Sequence, residues 1–413
     1  MNGERSFAPR RLSRRRVVGL GLGAVAAALA PRLGGLPFGT PAEAAEAPIP
    51  FVSPTLASLA NWNLTAESAD QTRYTLAPKG VEAFQGAPKR VLVPFAKPSP
   101  PFDGTLTKML DVLYEKRVPV TLHLWHYKQK LDVLAAIIAF GEANRFDLLA
   151  PMGSEATQNV HDTYLNGPLP VLSLFTKDPV LQGWVKDYDK GSGTNLAYCS
   201  VAVPIDVQIA YMRQLNPGVT NIAVMYSSNS QSTIDAQVTP LKEAAGPEGI
   251  TVFDVVVTDD NKPEPELSAQ IPRAIEKMRA SDPDLGKSVF WATGTTSVIN
   301  SVDLISKIVG KVPVLASYPD MVKEGSGSAI MSVGIEYENV GYLAAASMLD
   351  ILYNGARPGE MKIGVISPPD LAINFLKAHE IGAKIPFSFF ENASYVYDDQ
   401  GKTARKRGEA VAG

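Results

Sequence analysis

Twice along this chain, short apolar runs alternate with stretches of helical periodicity, and the second series begins only after the first has run its course. Residues 90–95, 118–124 and 146–150 read as strands. Between them, residues 104–116 place Leu106, Met109, Leu110 and Leu113 on one helical face, and residues 130–144 do the same with Leu131, Leu134, Ile137 and Ile138. After Tyr198 the rhythm restarts, with helices at 205–215, 238–245, 267–280 and 297–309 and strands at 221–226, 251–258, 288–293 and 313–317. Strands that alternate with helices of about 10–15 residues imply parallel βαβ units. The expected fold class is therefore α/β, with two doubly wound parallel-sheet lobes in series.

Between residues 330 and 341 the chain shifts from strand to helix, and 342–353 reads as a long amphipathic helix that returns to the first lobe. Crossovers are expected near 199–203, 332–336 and 362–365, which makes a hinge of three crossovers. The expected division is an N-terminal arm at 45–88, lobe 1 at 89–199 plus 335–362, lobe 2 at 200–334 plus 363–395, and a C-terminal tail at 396–413. The arm is rich in Pro, Ser, Ala and Asn and has weak periodicity, so it is read as extended and surface-packed.

Residues 1–44 are read as an export signal and set aside from the fold. Arg14, Arg15 and Arg16 precede a modest apolar run at 17–30, too short to span a membrane. Ala42-Glu43-Ala44 offers a cleavage site, with Ala45-Glu46-Ala47 as an alternative. The paired arginines suggest the twin-arginine type and a periplasmic location. No lipidation cysteine follows.

Seven arginines against Glu4 and Glu43 give this segment a charge of +5, so the net −3 of the whole chain leaves −8 for the remainder. An acidic body argues against nucleic acid or an anionic membrane as partner. Cys199 is the only cysteine, which rules out an internal disulfide. His123 and His126 form the only histidine pair, a poor basis for a metal site. Gly19-Leu-Gly-Leu-Gly23 falls in the signal and is no dinucleotide fingerprint, and no Gly-x-Ser-x-Gly elbow occurs. Neither cofactor nor catalytic residue is expected. Glu142, Glu155 and Asp178 are the one acid–base set considered.

In open parallel sheets, loops at the carboxyl ends of the strands converge on the ligand crevice. Here those loops are 96–100, 152–157 and 175–179 in the first lobe, and 227–232, 293–297 and 318–320 in the second.

The run Ile351-Leu-Tyr-Asn-Gly-Ala-Arg-Pro-Gly359 and the later Leu371-Ala-Ile-Asn-Phe-Leu-Lys-Ala-His-Glu-Ile-Gly-Ala-Lys-Ile-Pro386 resemble the C-terminal signature of ABC transporter substrate-binding proteins of the tryptophan/tyrosine-binding type. Gly153-Ser-Glu-Ala-Thr157, Phe175-Thr-Lys-Asp-Pro179 and Val224-Met-Tyr-Ser-Ser-Asn229 are similar to further segments of that family, in the same order. The resemblance covers about residues 90–390. It departs at Ser154-Glu155, where many members carry Thr-Pro. It implies a type I periplasmic-binding-protein fold, a monomer that takes up a small-molecule solute, and a membrane permease of an ABC transporter as partner. A sensory ligand-binding subunit and a secreted hydrolase are the alternatives. A transcriptional regulator of this fold would need an N-terminal helix-turn-helix where the export signal stands.

Against that background, a helix beginning at Ser154 would offer free N–H groups to a carboxylate, aided by the Ser154 and Thr157 hydroxyls, with Ala156 in the same loop and Glu155 bringing a carboxylate of its own, or Ser154 merely caps it. Thr176 and Asp178 lie on the next loop, where Asp178 either accepts from an ammonium group or closes an Asp-Pro turn. Across the cleft Ser228, Asn229, Thr293 and Thr295 would complete a polar cage, and Tyr318 and Asp320 would line a side-chain pocket. Trp291 reads as core rather than ligand platform, and Trp184 lies near the mouth.

Overall fold

The computed structural model describes residues 49–411, and among them no helix is long and apolar enough to cross a membrane. The expected export signal and its cleavage sites lie outside the described residues.

Two mixed, mostly parallel sheets organise the chain. The first contains β1 (Trp62–Ala66), β2 (Arg73–Pro78), β3 (Lys89–Phe95), β4 (Val120–His126), β5 (Leu148–Leu149), β6 (Val171–Thr176) and β7 (Leu196–Ser200), in the order β1-β2-β4-β3-β5-β6-β7. β3 to β7 pair in parallel. Helices α1 (Pro100–Glu115), α2 (Leu131–Ala143) and α3 (Ser154–Tyr164) make its crossovers. Every residue of β6 and β7 is buried, as expected for parallel strands covered on both faces.

The second sheet contains β8 (Asn221–Ser227), β9 (Thr251–Val257), β10 (Ser288–Ala292), β11 (Val314–Ala316), β12 (Met331–Gly334), β13 (Asp370–Asn374), β14 (Tyr395–Tyr397), β15 (Thr403–Lys406) and β16 (Glu409–Ala410). Its order is β16-β15-β14-β13-β12-β11-β10-β8-β9, with β8 to β12 parallel. Helices α4 (Ile205–Leu215) and α5 (Pro263–Arg279) lie in its connections.

The chain passes between the sheets three times: after β7, after β12, and before β13. The second passage leads into α6 (Tyr337–Tyr353), which packs on α1 of the first lobe. There the Thr105 hydroxyl donates to the Tyr337 carbonyl at 3.2 Å. Gly341 permits the close approach, since a Cβ at that position would lie 2.3 Å from the Thr105 carbonyl oxygen. At the third passage Gly364 bridges Cys199 in parallel, with Ser200 N donating to its carbonyl at 2.7 Å. The expected hinge of three crossovers is thus present, and the first and third run side by side.

Four features differ from the sequence reading. The segment read as an arm adds the antiparallel pair β1–β2 to the first sheet, with Trp62, Tyr74 and Leu76 buried. The segment read as a tail carries β15 and β16 into the second sheet. Helix α6 starts at Tyr337 rather than 342, because the chain tolerates Gly341 inside a helix that needs a bare backbone against α1. The helix read over 297–309 is broken at Ser301 into Thr296–Asn300 and Val302–Ile308.

Candidate functional site

The carboxyl ends of both sheets face one cleft, as the topology of open parallel sheets requires. From the first lobe, the loop after β3 brings Lys97 and Ser99 to its edge, and Phe102 follows in the first turn of α1. Pro100 sets where that helix begins, since a proline is pre-organised for the first helical position. The loop after β5 ends at Gly153, whose φ of +95° and ψ of 157° suit glycine alone. A Cβ there would meet the Phe102 ring at 2.4 Å. Gly153 therefore holds the start of α3 hard against Phe102, and Phe102 in turn stacks edge-on with Phe175 at 5.7 Å between centroids.

The second lobe supplies mainly hydroxyls. Ser230 and Ser232 follow β8, Thr295 and Thr296 follow β10, Asp260 follows β9, and Tyr318 follows β11. The touching rims leave only a small enclosed space between them, about 60 Å³. Among the described residues two side-chain hydrogen bonds cross the cleft. Ser99 Oγ and Thr296 Oγ1 are 2.9 Å apart, and Lys177 Nζ donates to Ser232 Oγ at 3.4 Å.

The charges of the site differ in how they are matched. Glu155, in the first turn of α3, pairs with Lys97 at 3.1 Å and accepts from Gln129 at 2.6 Å. Its carboxylate already complements the positive end of the α3 dipole. Asp260 accepts from Ser297 Oγ at 2.7 Å and from Asn229 Nδ2 at 3.4 Å. Lys177 is buried, and its backbone N–H donates to Ser154 Oγ at 2.9 Å. Burial, aided by the nearby charge of Lys97 and opposed by that of Glu155, pushes the Lys177 ammonium down to about 7. Burial also raises the Tyr318 phenol.

Of the twelve residues singled out from the sequence, Ser154, Glu155, Ala156, Thr295 and Tyr318 line this cleft. Ser154 is not the cap of α3, a place taken by Gly153, and its hydroxyl serves the Lys177 backbone instead. The other seven do not line it. Thr157 lies under α3 with its hydroxyl 2.7 Å from Ser173 Oγ. Thr176 Oγ1 is buried without a hydrogen-bond partner. Asp178 closes its turn, accepting from Val180 N at 2.9 Å, Leu181 N at 3.1 Å and the Tyr188 hydroxyl.

Across the cleft, the Ser228 hydroxyl donates to the Val257 carbonyl at 3.4 Å and Asn229 Nδ2 to the Thr258 carbonyl at 2.8 Å, so both tie β8 to β9. The Thr293 hydroxyl donates to the Met225 carbonyl at 2.7 Å. Asp320 faces a separate surface pocket shared with Glu336, Glu338 and Arg407. Trp291 is buried in the core, and Trp184 stacks between His161 and Tyr198. His123 lies 3.4 Å from Glu67 and His126 3.2 Å from the Ala96 carbonyl. Among the described residues no group of three His, Cys, Asp or Glu is placed to hold a metal.

Lys97, Ser99, Phe102, Lys177, Ser232, Asp260 and Thr296 were not singled out, although all but Phe102 and Asp260 lie in loops marked as cleft-facing. Asp260 follows the edge strand β9, and the strand-end rule applied to that strand too would have found it.

A family model described as ABC transporter substrate binding protein matches residues 108–396. A relative named tyrosine-binding protein, from Clostridioides difficile strain R20291, is 23% identical over 274 residues, which is 66% of this chain and 73% of its own length. A conserved domain protein of known structure from Vibrio cholerae superposes with a TM-score of 0.61 at 20% identity, over 75% of this chain and 100% of that one. An ABC domain in complex with L-Trp from Streptococcus pneumonia gives a TM-score of 0.60 at 23% identity, with the same coverage of both chains.

Proposed function

Because the chain belongs to the ABC transporter substrate-binding protein family and has the two-lobed type I periplasmic-binding-protein fold, we propose that it captures a carboxylate-bearing solute, an amino acid, and delivers it unaltered to the permease of an ABC importer. The observation that carries this reading is the cleft itself. Both lobes present their strand ends to it, and side chains of the two lobes meet directly over it at Ser99–Thr296 and Lys177–Ser232.

An amino acid suits the chemistry of that cleft. Asp260 is the acceptor for an ammonium group, and the hydroxyls of Ser230, Ser232 and Thr295 serve a carboxylate. Phe102, Phe175 and Tyr318 form an apolar wall that fits an aromatic side chain. The relatives whose names mention tyrosine and L-Trp point to the same class. Closure then follows from differential affinity: a solute that touches both rims binds the closed state better than the open one. Both rims come from one chain, so a monomer suffices. The paired arginines before an apolar run support export to the periplasm, where such a protein would meet its permease.

Thermal-shift screening of the mature protein against the common amino acids and small carboxylates tests the reading. An aromatic amino acid is expected to give the largest rise in melting temperature. A flat response across the panel would contradict it.

A further inference from the structure

Among the described residues two lysines are almost wholly removed from solvent, and they differ in what answers their charge. Lys377 lies 3.6 Å from the Glu380 carboxylate and 3.4 Å from the Ser306 carbonyl. Lys177 is equally buried, yet no carboxylate oxygen lies within salt-bridge distance of its Nζ, and its one hydrogen bond is the 3.4 Å contact with Ser232. An ammonium group has three donors, and burying it unpaired is among the costlier things a fold can do. The position of this lysine gives the cost a purpose. It follows β6 at the cleft and reaches from the first lobe to a hydroxyl of the second.

The neighbouring charges sharpen the point. Glu155 is answered by Lys97 and Gln129, so it leaves Lys177 without a close partner. Asp260 lines the same cleft from the second lobe and is held by Ser297 and Asn229. With Lys97 and Glu155 matched to each other, the cleft retains one unanswered cation on the first lobe and one carboxylate on the second.

We infer that Lys177 is the seat of the ligand's anionic group: a carboxylate lodged between Lys177 Nζ and the Ser232 hydroxyl answers the buried charge, ties the lobes together and selects acids over their neutral analogues. The assignment rests on the amino-acid reading of the cleft. It also makes closure conditional, since the closed cleft buries an unmatched ammonium until an anion arrives.

Calorimetric titration of the mature protein with L-tyrosine and L-tryptophan, and with L-tyrosinamide and L-tryptophanamide, tests it. The wild type is expected to prefer each acid over its amide by about tenfold or more. In Lys177→Met and in Lys177→Gln the preference should shrink to within about twofold, while the ligand-free variants melt no lower than the wild type, because a buried unpaired charge has been removed. Variants that keep the wild-type preference, or that melt well below it, would make Lys177 a structural residue and overturn the assignment while leaving the amino-acid reading intact. A wild type that binds neither these acids nor any other amino acid would remove that reading, and the assignment with it.

Discussion

The two rims of the cleft are built differently. The first lobe contributes ions and rings, namely Lys97, Glu155, Lys177, Phe102 and Phe175, held by tight packing around Gly153. The second contributes the hydroxyls of Ser230, Ser232, Thr295 and Thr296, with Asp260 as its one carboxylate and Tyr318 as its one ring at the cleft. Rings locked edge-on and an ion pair fixed at a helix start form a rigid template, whereas hydroxyl rotors adapt to a guest at small cost. The contrast suggests that the first lobe sets what is recognised and the second lobe responds by closing.

The most severe way to break this contrast is to disturb the template. Gly153→Ala forces a side chain into a glycine-only conformation and against the Phe102 ring. It should cost about 3 kcal/mol of stability, read as a lower urea midpoint with an unchanged slope, and no single substitution among the second lobe's hydroxyls should approach that. Next in size is removal of the second lobe's charge at the cleft. Asp260→Asn should weaken amino-acid binding by about 2 kcal/mol in titration calorimetry, and an unchanged affinity would leave the second rim with hydroxyls alone.

The pH dependence separates the lobes further. Lys177, near Lys97 and Glu155 on its own lobe and with Asp260 on the opposite rim, is pushed by burial down to about 7, against 10.5 ordinarily, where the rims touch. Between those values the unfolded chain holds the proton more tightly, so this group makes stability rise as pH climbs from about 7 toward 10.5. Affinity for a carboxylate should fall over the same range, by about tenfold per pH unit at most, and Lys177→Met should flatten that fall. Smallest is the loss of a second-lobe hydroxyl. Thr296→Val removes the contact with Ser99 and should cost about 1 kcal/mol of affinity.

The same contrast explains what could be read in advance. The βα rhythm was legible because buried parallel strands such as β8 and β10 are short, almost wholly apolar runs, although β6, equally buried, is not among the strands read from the sequence. The antiparallel edges were not: β2 alternates half-buried and buried residues in a polar segment, and β15 has no buried residue at all. At the site, the strand-end rule marked the loops bearing Ser154, Thr295 and Tyr318. It could not choose between Lys177 and Asp178, adjacent residues in an irregular loop. Side-chain direction in such a loop depends on which backbone N–H groups need an acceptor. Here Val180 and Leu181 claim Asp178, and Lys177 is left to reach the opposite lobe.

Small-angle X-ray scattering of the mature protein, with and without saturating L-tyrosine or L-tryptophan, bears most directly on the claim that one guest unites the two rims. The account predicts a smaller radius of gyration with ligand, as an open pair of lobes shuts. An unchanged radius in the presence of proven binding would place the solute outside the cleft and contradict it.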